Sequence, residues 1–217
     1  MNRPYDTVKR MLDVVLAASG LLLATPVLAA VALAVLVTMG RPVLFRQARP
    51  GRGGRLFRLV KFRSMTVGGA DAAPANDAVR LTTFGRWLRT TSLDELPQLW
   101  NVLRGEMSLV GPRPLLPAYL SRYSPEQLRR HEVRPGITGL QQAYGRNALS
   151  WDERFALDVH YVRHRSLVLD VRILLRTVRT VLLREGITAA GAATAHEFLG
   201  PAELATAGGR GHAEGRR

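Results

Sequence analysis

The 217-residue chain contains no cysteine, which excludes disulfides, thiolate metal ligands and cysteine nucleophiles. Lysine is nearly absent as well: Lys9 and Lys61 stand alone, so arginine carries the formal net charge of +14. Acidic residues number 17 against 31 basic ones, which leaves few candidates for a catalytic carboxylate. Aromatic residues make up only 6% and are not interleaved with the basic patches, as base-stacking platforms would require. No internal repeat occurs, and no glycine run matches a P-loop or a dinucleotide fingerprint. The charge balance suits phosphate-rich partners: nucleotide substrates, anionic lipid headgroups or nucleic acid.

What is present begins with an apolar run from Leu12 to Met39. It is longer than the ~20 residues that span a bilayer, and it lacks the cleavage site of a signal peptide. Thr25-Pro26 falls at its middle, where proline removes a backbone hydrogen bond. Each half gives roughly 20 Å of helix, short of the ~30 Å of hydrocarbon. Lys9 and Arg10 precede the run, and Arg41, Arg46, Arg49, Arg52 and Arg55 follow it. The positive-inside rule draws both flanks to the cytoplasmic side. With both flanks basic, a helix–break–helix that enters and leaves by one face is favoured over the alternative, a kinked span. Asp13 is spaced to pair with Lys9 or Arg10 at the interface.

After the run, residues 43–47 read as a strand, and Arg49-Pro50-Gly51-Arg52-Gly53-Gly54-Arg55 as a turn. That turn suits a phosphate cradle or a plain hairpin tip. Residues 56–65 alternate apolar and basic, which puts Lys61 and Arg63 on one strand face. Residues 67–79 read as a surface loop and 81–89 as a helix. Trp151–Val162 and Ser166–Leu183 are two further helices; the second carries Arg172, Arg176 and Arg179 on one stripe, which suits anionic lipid or water. From Ala189 onward the composition is that of a loosely held tail.

Asp94 and Glu95 are adjacent, with Arg86, Arg89, Arg104 and Arg113 close in sequence. Ser92-x-x-Glu95 has the form of a capping box, and Pro97 restricts the pair to a helix start or a break. Neighbouring helical residues point ~100° apart, so the two acids have different tasks. Arg113 sits between Pro112 and Pro114, either a preorganised guanidinium for a diphosphate or a simple turn.

These segments together resemble a known family. Lys9-Arg10-x-x-Asp13, the central Pro26, Gln47-x-Arg49-x-Gly51, Lys61-Phe62-Arg63-Ser64-Met65 and Ser92-Leu93-Asp94-Glu95-Leu96-Pro97-Gln98 come first. Val110-Gly111-Pro112-Arg113-Pro114, Arg134-Pro135-Gly136-Ile137-Thr138-Gly139, Gly145-Arg146-Asn147 and Ser166-Leu-Val-Leu-Asp170 follow in order. The chain resembles, from about Lys9 to Gly200, a bacterial sugar transferase of the polyprenyl-phosphate glycosyl-1-phosphate transferase type in its small monotopic form. That resemblance implies transfer of a sugar-1-phosphate from a UDP-sugar to polyprenyl phosphate, with undecaprenyl phosphate as the acceptor, UMP as product and Mg²⁺ as cofactor. It implies Asp94 as nucleophile and Glu95 as part of the metal site. Lys61, Arg63, Arg89 and Arg113 are the candidates to neutralise the diphosphate. Asp158 and Asp170 either assist there or serve as a helix cap or ion-pair partner.

The implied fold is α/β, mostly α with short strands. Residues 1–40 form a re-entrant membrane hairpin carrying Lys9, Arg10, Asp13, Thr25 and Pro26. Residues 41–188 form a catalytic domain with amphipathic interfacial helices on the cytoplasmic face of the inner membrane, in contact with membrane lipids, and 189–217 a partly disordered extension. A homo-oligomer is compatible with this, and no nucleic acid is expected as partner. Ser64 stands where the family usually has Thr. Gln141 and Tyr144 lie in a stretch that usually reads Ala-Gln-hydrophobic-Asn, which allows an unusual sugar donor. The rival readings are a membrane-anchored nucleic-acid-binding protein and an inactive scaffold of a polysaccharide assembly complex.

Overall fold

The apolar run forms a single helix, α1, from Pro4 to Met39, 36 residues long. The computed structural model describes residues 4–66, 80–145, 149–183 and 197–200. The break expected at Thr25-Pro26 does not divide α1, which continues through Pro26. The Thr25 hydroxyl donates to the Leu21 carbonyl at 2.9 Å, so its polar group is satisfied inside the helix. By length and hydropathy α1 is able to cross a membrane.

One face of α1 is packed. Asp13, Ala17, Val31 and Val35 are buried. Asp13 and Val31 lie five whole turns apart, as do Ala17 and Val35, so all four share a side. Ala17 packs with Phe57, Leu59, Val102 and Met107, whereas Val31 and Val35 pack with Phe62 and Leu88. Leu22 and Leu23, near the midpoint, are 75% and 78% exposed.

Strand β1 (Leu44–Pro50) and strand β2 (Leu56–Phe62) form an antiparallel hairpin, in register from Leu44 opposite Phe62 to Pro50 opposite Leu56. Its turn places Gly53 and Gly54 at φ 65° and 75°, a region costly for side chains with a Cβ. Helix α2 (Thr83–Thr91) and helix α3 (Gln98–Leu103) follow, separated by a 3-10 turn over Leu93–Glu95. Pro97 sits just before α3, where its missing N–H costs nothing. Strands β3 (Ser108–Val110) and β4 (Gly136–Thr138) pair in parallel, and α4 (Pro125–Leu128) lies between them in sequence. Then come α5 (Leu140–Tyr144), α6 (Trp151–His164) and α7 (Leu167–Leu182). Capping boxes form at Ser124/Gln127 and Ser150/Glu153. Among the described residues the result is mostly helical with two short two-stranded ladders.

Helix α7 buries Ile173 against Val110, Leu140, Ala143 and Tyr161, and leaves Val168, Val171, Leu175 and Val178 exposed on one stripe beside Arg172 and Arg179. Arg176 instead bonds the Ala143 carbonyl and lies over Tyr144. Residues 197–200, which composition assigns to a loose tail, are docked. Phe198 is buried among Tyr119, Tyr123 and Phe155, and Arg122 bonds both its carbonyl and Glu197. The loop at 67–79, the Arg146-Asn147 segment and most of the tail lie outside the described residues.

Gly85 lets α2 seat against the chain leaving β2. A Cβ there would meet the Ser64 carbonyl oxygen at 1.7 Å. Gly85→Ala is therefore expected to destabilise by about 2–3 kcal/mol or more, read by thermal unfolding in detergent. It should also weaken activity, because it separates the segments that carry Lys61 and Arg89.

Candidate active site

The 3-10 turn that carries the acids exists because Ser92 ends α2 in a left-handed conformation, φ 58°. This overturns the capping-box reading: the Ser92 side chain makes no cap hydrogen bond. Its backbone N–H instead closes α2 on the Arg89 and Leu88 carbonyls. Glu95 is thereby released from local duty. Its Oε1 accepts from Lys61 Nζ at 2.5 Å and from Arg113 Nη2 at 2.9 Å. Among the described residues, both of its side-chain hydrogen bonds fall on that one oxygen.

Asp94 is different. It is buried, 6% exposed, and no hydrogen bond reaches its carboxylate among the described residues. Burial pushes its pKa up, and the Glu95 charge adds to that, against the pull of Lys61, Arg89 and Arg113. Burial also works to raise Glu95, but Lys61 and Arg113 outweigh it and hold that carboxyl well below the usual carboxylate range. Two adjacent acids thus have divided environments: one clamped and ionised, one unclamped beside a ring of cations.

Arg89, on α2, donates from Nε to the Ser64 hydroxyl at 3.0 Å and is close enough to stabilise the Asp94 charge. Arg113 follows β3, and its backbone is held from behind. Arg130 Nη2 donates to the Arg113 carbonyl at 2.6 Å. Arg130 itself is bound by Asp158 Oδ2 at 3.0 and 2.7 Å and by the Tyr123 hydroxyl at 2.9 Å. It also lies 5.6 Å from the ring centroids of Tyr123 and Phe155. Five expected residues therefore converge: Lys61, Arg89, Asp94, Glu95 and Arg113.

Three do not. Arg63 lies beyond the end of β2, so the two-residue period no longer puts it with Lys61; its guanidinium binds the Met39, Gly40 and Arg41 carbonyls and caps α1. Asp158 is an ion-pair partner that reaches the site only through Arg130 and the Arg113 backbone. Asp170 accepts from Lys9 and Tyr5 at 2.5 Å and from Tyr161 at 2.8 Å, so it latches α1 onto α7. Asp13 contributes to the same anchorage by accepting from the Leu109 N–H at 3.0 Å, with Lys9 3.8 Å away. Arg10 bonds the Val102 and Leu103 carbonyls. Arg130 was not identifiable in advance: it sits in an Arg129-Arg130-His131 run that reads as solvated surface.

Among the described residues, no group of three His, Cys, Asp or Glu side chains is placed to hold a metal ion. The two carboxylates fit a Mg²⁺ ion only in the mode where one or two protein ligands are completed by substrate phosphate and water. Glu95 is the better donor, because it is held ionised and its Oε2 takes no hydrogen bond among the described residues.

Residues 4–184 match the family model described as bacterial sugar transferase. The chain is 50% identical over 200 residues to the uncharacterized sugar transferase EpsL of Bacillus subtilis, covering 91% of this chain and 98% of that protein. It is 45% identical over 188 residues to a UDP-glucose:undecaprenyl-phosphate glucose-1-phosphate transferase of Caulobacter vibrioides, covering 82% and 70%. With an undecaprenyl-phosphate galactose phosphotransferase of Salmonella typhimurium the identity is 39% over 204 residues, covering 85% of this chain but 42% of that longer protein. A family-model match over residues 4–184, together with relatives at 39–50% identity, means that the protein belongs to the bacterial sugar transferase family.

Proposed function

We propose that the protein transfers a sugar-1-phosphate from a UDP-sugar to a polyprenyl phosphate, undecaprenyl phosphate being the acceptor in the named relatives, and releases UMP. The observation that carries this reading is the division between Asp94 and Glu95: an unbonded carboxylate beside a clamped one, in a ring of cations. In the first half-reaction an Asp94 oxygen attacks the sugar-bearing phosphorus. The bond from that phosphorus to the bridging oxygen breaks, and its electron pair leaves with UMP. In the second, an oxygen of polyprenyl phosphate attacks the same phosphorus, and the Asp94–phosphorus bond breaks to return the carboxylate. A covalent stage suits substrates of unlike solubility, because the two are handled one after the other.

Anion attack on a diphosphate is opposed by repulsion. Arg89 stabilises the ionised Asp94, while Lys61 and Arg113, fixed through Glu95, present their remaining N–H groups to the phosphates. Mg²⁺, held by Glu95 and substrate oxygens, would add charge neutralisation.

The same reading makes the protein monotopic, with its domain on the cytoplasmic face and α1 dipping into the bilayer near Thr25-Pro26. What supports it is that both ends of α1 are tied to one domain, through Lys9–Asp170 at one end and Arg63 on the Gly40 carbonyl at the other. Neither end is then free to sit across ~30 Å of hydrocarbon. The exposed apolar stripe of α7 fits a helix lying in the interface.

The test is a donor screen with purified protein, Mg²⁺ and polyprenyl phosphate, reading UMP. With the right donor and no acceptor, UMP should reach about one equivalent and stop, with a phosphosugar on Asp94. No UMP from any UDP-sugar would overturn the reaction; an adduct on another residue would overturn the nucleophile.

A further inference from the structure

The double displacement makes a geometric demand. For in-line transfer, UMP departs from the side of the phosphorus opposite Asp94. In the second half Asp94 is the leaving group, so the attacking oxygen must arrive from that same side. UMP and polyprenyl phosphate are both phosphate monoesters, and their phosphates must use one region in turn. The cations nearest the acids are already engaged there, because Lys61 and Arg113 share Glu95 Oε1.

Arg49 is a further cation, beside Arg113, that the mechanism leaves unused. It lies on β1 two residues from Gln47, hence on the same strand face, and Gln47 Oε1 accepts from its Nη2 at 2.6 Å. Its Nη1 points to the Pro114 carbonyl at 3.4 Å, next to Arg113. Its Nε is buried with no hydrogen-bond partner. Among the described residues Arg49 forms no ion pair. Burial lowers its pKa to about 10, and repulsion from Arg113 adds to that. Arg154 of α6, stacked over Trp151, feels the same repulsion from Arg113. A guanidinium aimed by its own amide partner, half-buried without a counter-ion and beside another guanidinium, lacks an anion. A surface arginine would turn into solvent instead.

We propose that Arg49, beside Arg113, forms a phosphate-monoester subsite that UMP and polyprenyl phosphate occupy in turn. This rests on the double displacement proposed above. It gives a role to the Arg-Pro-Gly segment at the end of β1 that the catalytic residues do not explain. It also makes UMP a competitor of the lipid acceptor, because both claim one guanidinium.

Arg49→Gln tests the subsite. UMP binding is read by calorimetry without turnover, and the KM for a short-chain polyprenyl phosphate is read by steady-state kinetics. Both constants should weaken by about 10- to 100-fold and by similar factors, the range for losing one charge-assisted hydrogen bond. Arg49→Lys, which keeps the charge but not the fork, should recover part of both. Arg129→Gln, which removes a charge from an exposed pair with Glu132, should change neither. A change in one constant alone overturns the shared subsite, and a change in neither overturns Arg49 as a ligand. Because UMP binding needs no reaction, unaltered UMP affinity in Arg49→Gln is separable from failure of the reaction itself, which is absence of UMP release by the unsubstituted protein.

Discussion

Asp94→Asn should reduce UMP release by roughly 10⁴-fold or more, the scale seen when a covalent nucleophile is removed. The amide has almost the same shape but offers no anionic oxygen to the phosphorus. The variant should fold as well as the parent or better. In the native chain the Asp94 carboxylate is buried, carries no hydrogen bond among the described residues and is repelled by Glu95, so its charge costs stability at neutral pH. A loss of activity with an unchanged or raised unfolding temperature would be the signature of a site that trades stability for reactivity. A fall in both would point to a structural role. Glu95→Gln should differ in its effect on stability: it leaves Lys61 and Arg113 without their shared carboxylate, so stability and activity should fall together.

Arg130→Met should be the most damaging single change to the fold outside the acidic turn. Arg130 and Asp158 have side chains 1% exposed each, and removal of one member of such a pair leaves a buried charge uncompensated. The expected loss is about 3–5 kcal/mol. Its pH dependence follows from Asp158. Burial pushes that carboxyl up to about 6, with Arg130 pulling the other way. A raised carboxyl contributes stability that is present below its unfolded value, near ~4, and lost as pH rises through ~6. Without Arg130 the value must rise further, so the deficit of the variant should be smaller at pH 5 than at pH 8. A deficit equal at both pH values would refute the buried-charge account. Arg130→Met combined with Asp158→Leu should recover much of the stability, because it removes both charges together. Activity should stay low in the double variant, since the Arg113 carbonyl has still lost its donor.

The acidic turn shows how far local sequence reaches. Pro97 and the crowded arginines mark Asp94-Glu95 as a break lined with cations, and the turn is there. The same local reading gives Ser92 a capping role that it does not have. A capping box and a left-handed helix end share the residues that favour them, and only backbone geometry separates the two. Likewise the alternation over residues 56–65 identifies β2, but it places Arg63 wrongly because the strand stops one residue earlier.

By itself, then, the sequence determined the long apolar run, the hairpin after it and the acidic turn, since each follows from hydrophobic period, proline or charge within a short window, whereas the continuity of α1 through Pro26 and the part played by Arg113 did not. Only the tertiary structure decided which cation meets which acid. Lys61 and Glu95 are 34 residues apart, Arg130 and Asp158 are 28, and Lys9 and Asp170 are 161. No local period carries that information. A buried charge takes whatever partner packing brings within hydrogen-bond reach, and those packing contacts join α1, β2, α6 and α7 across the whole chain.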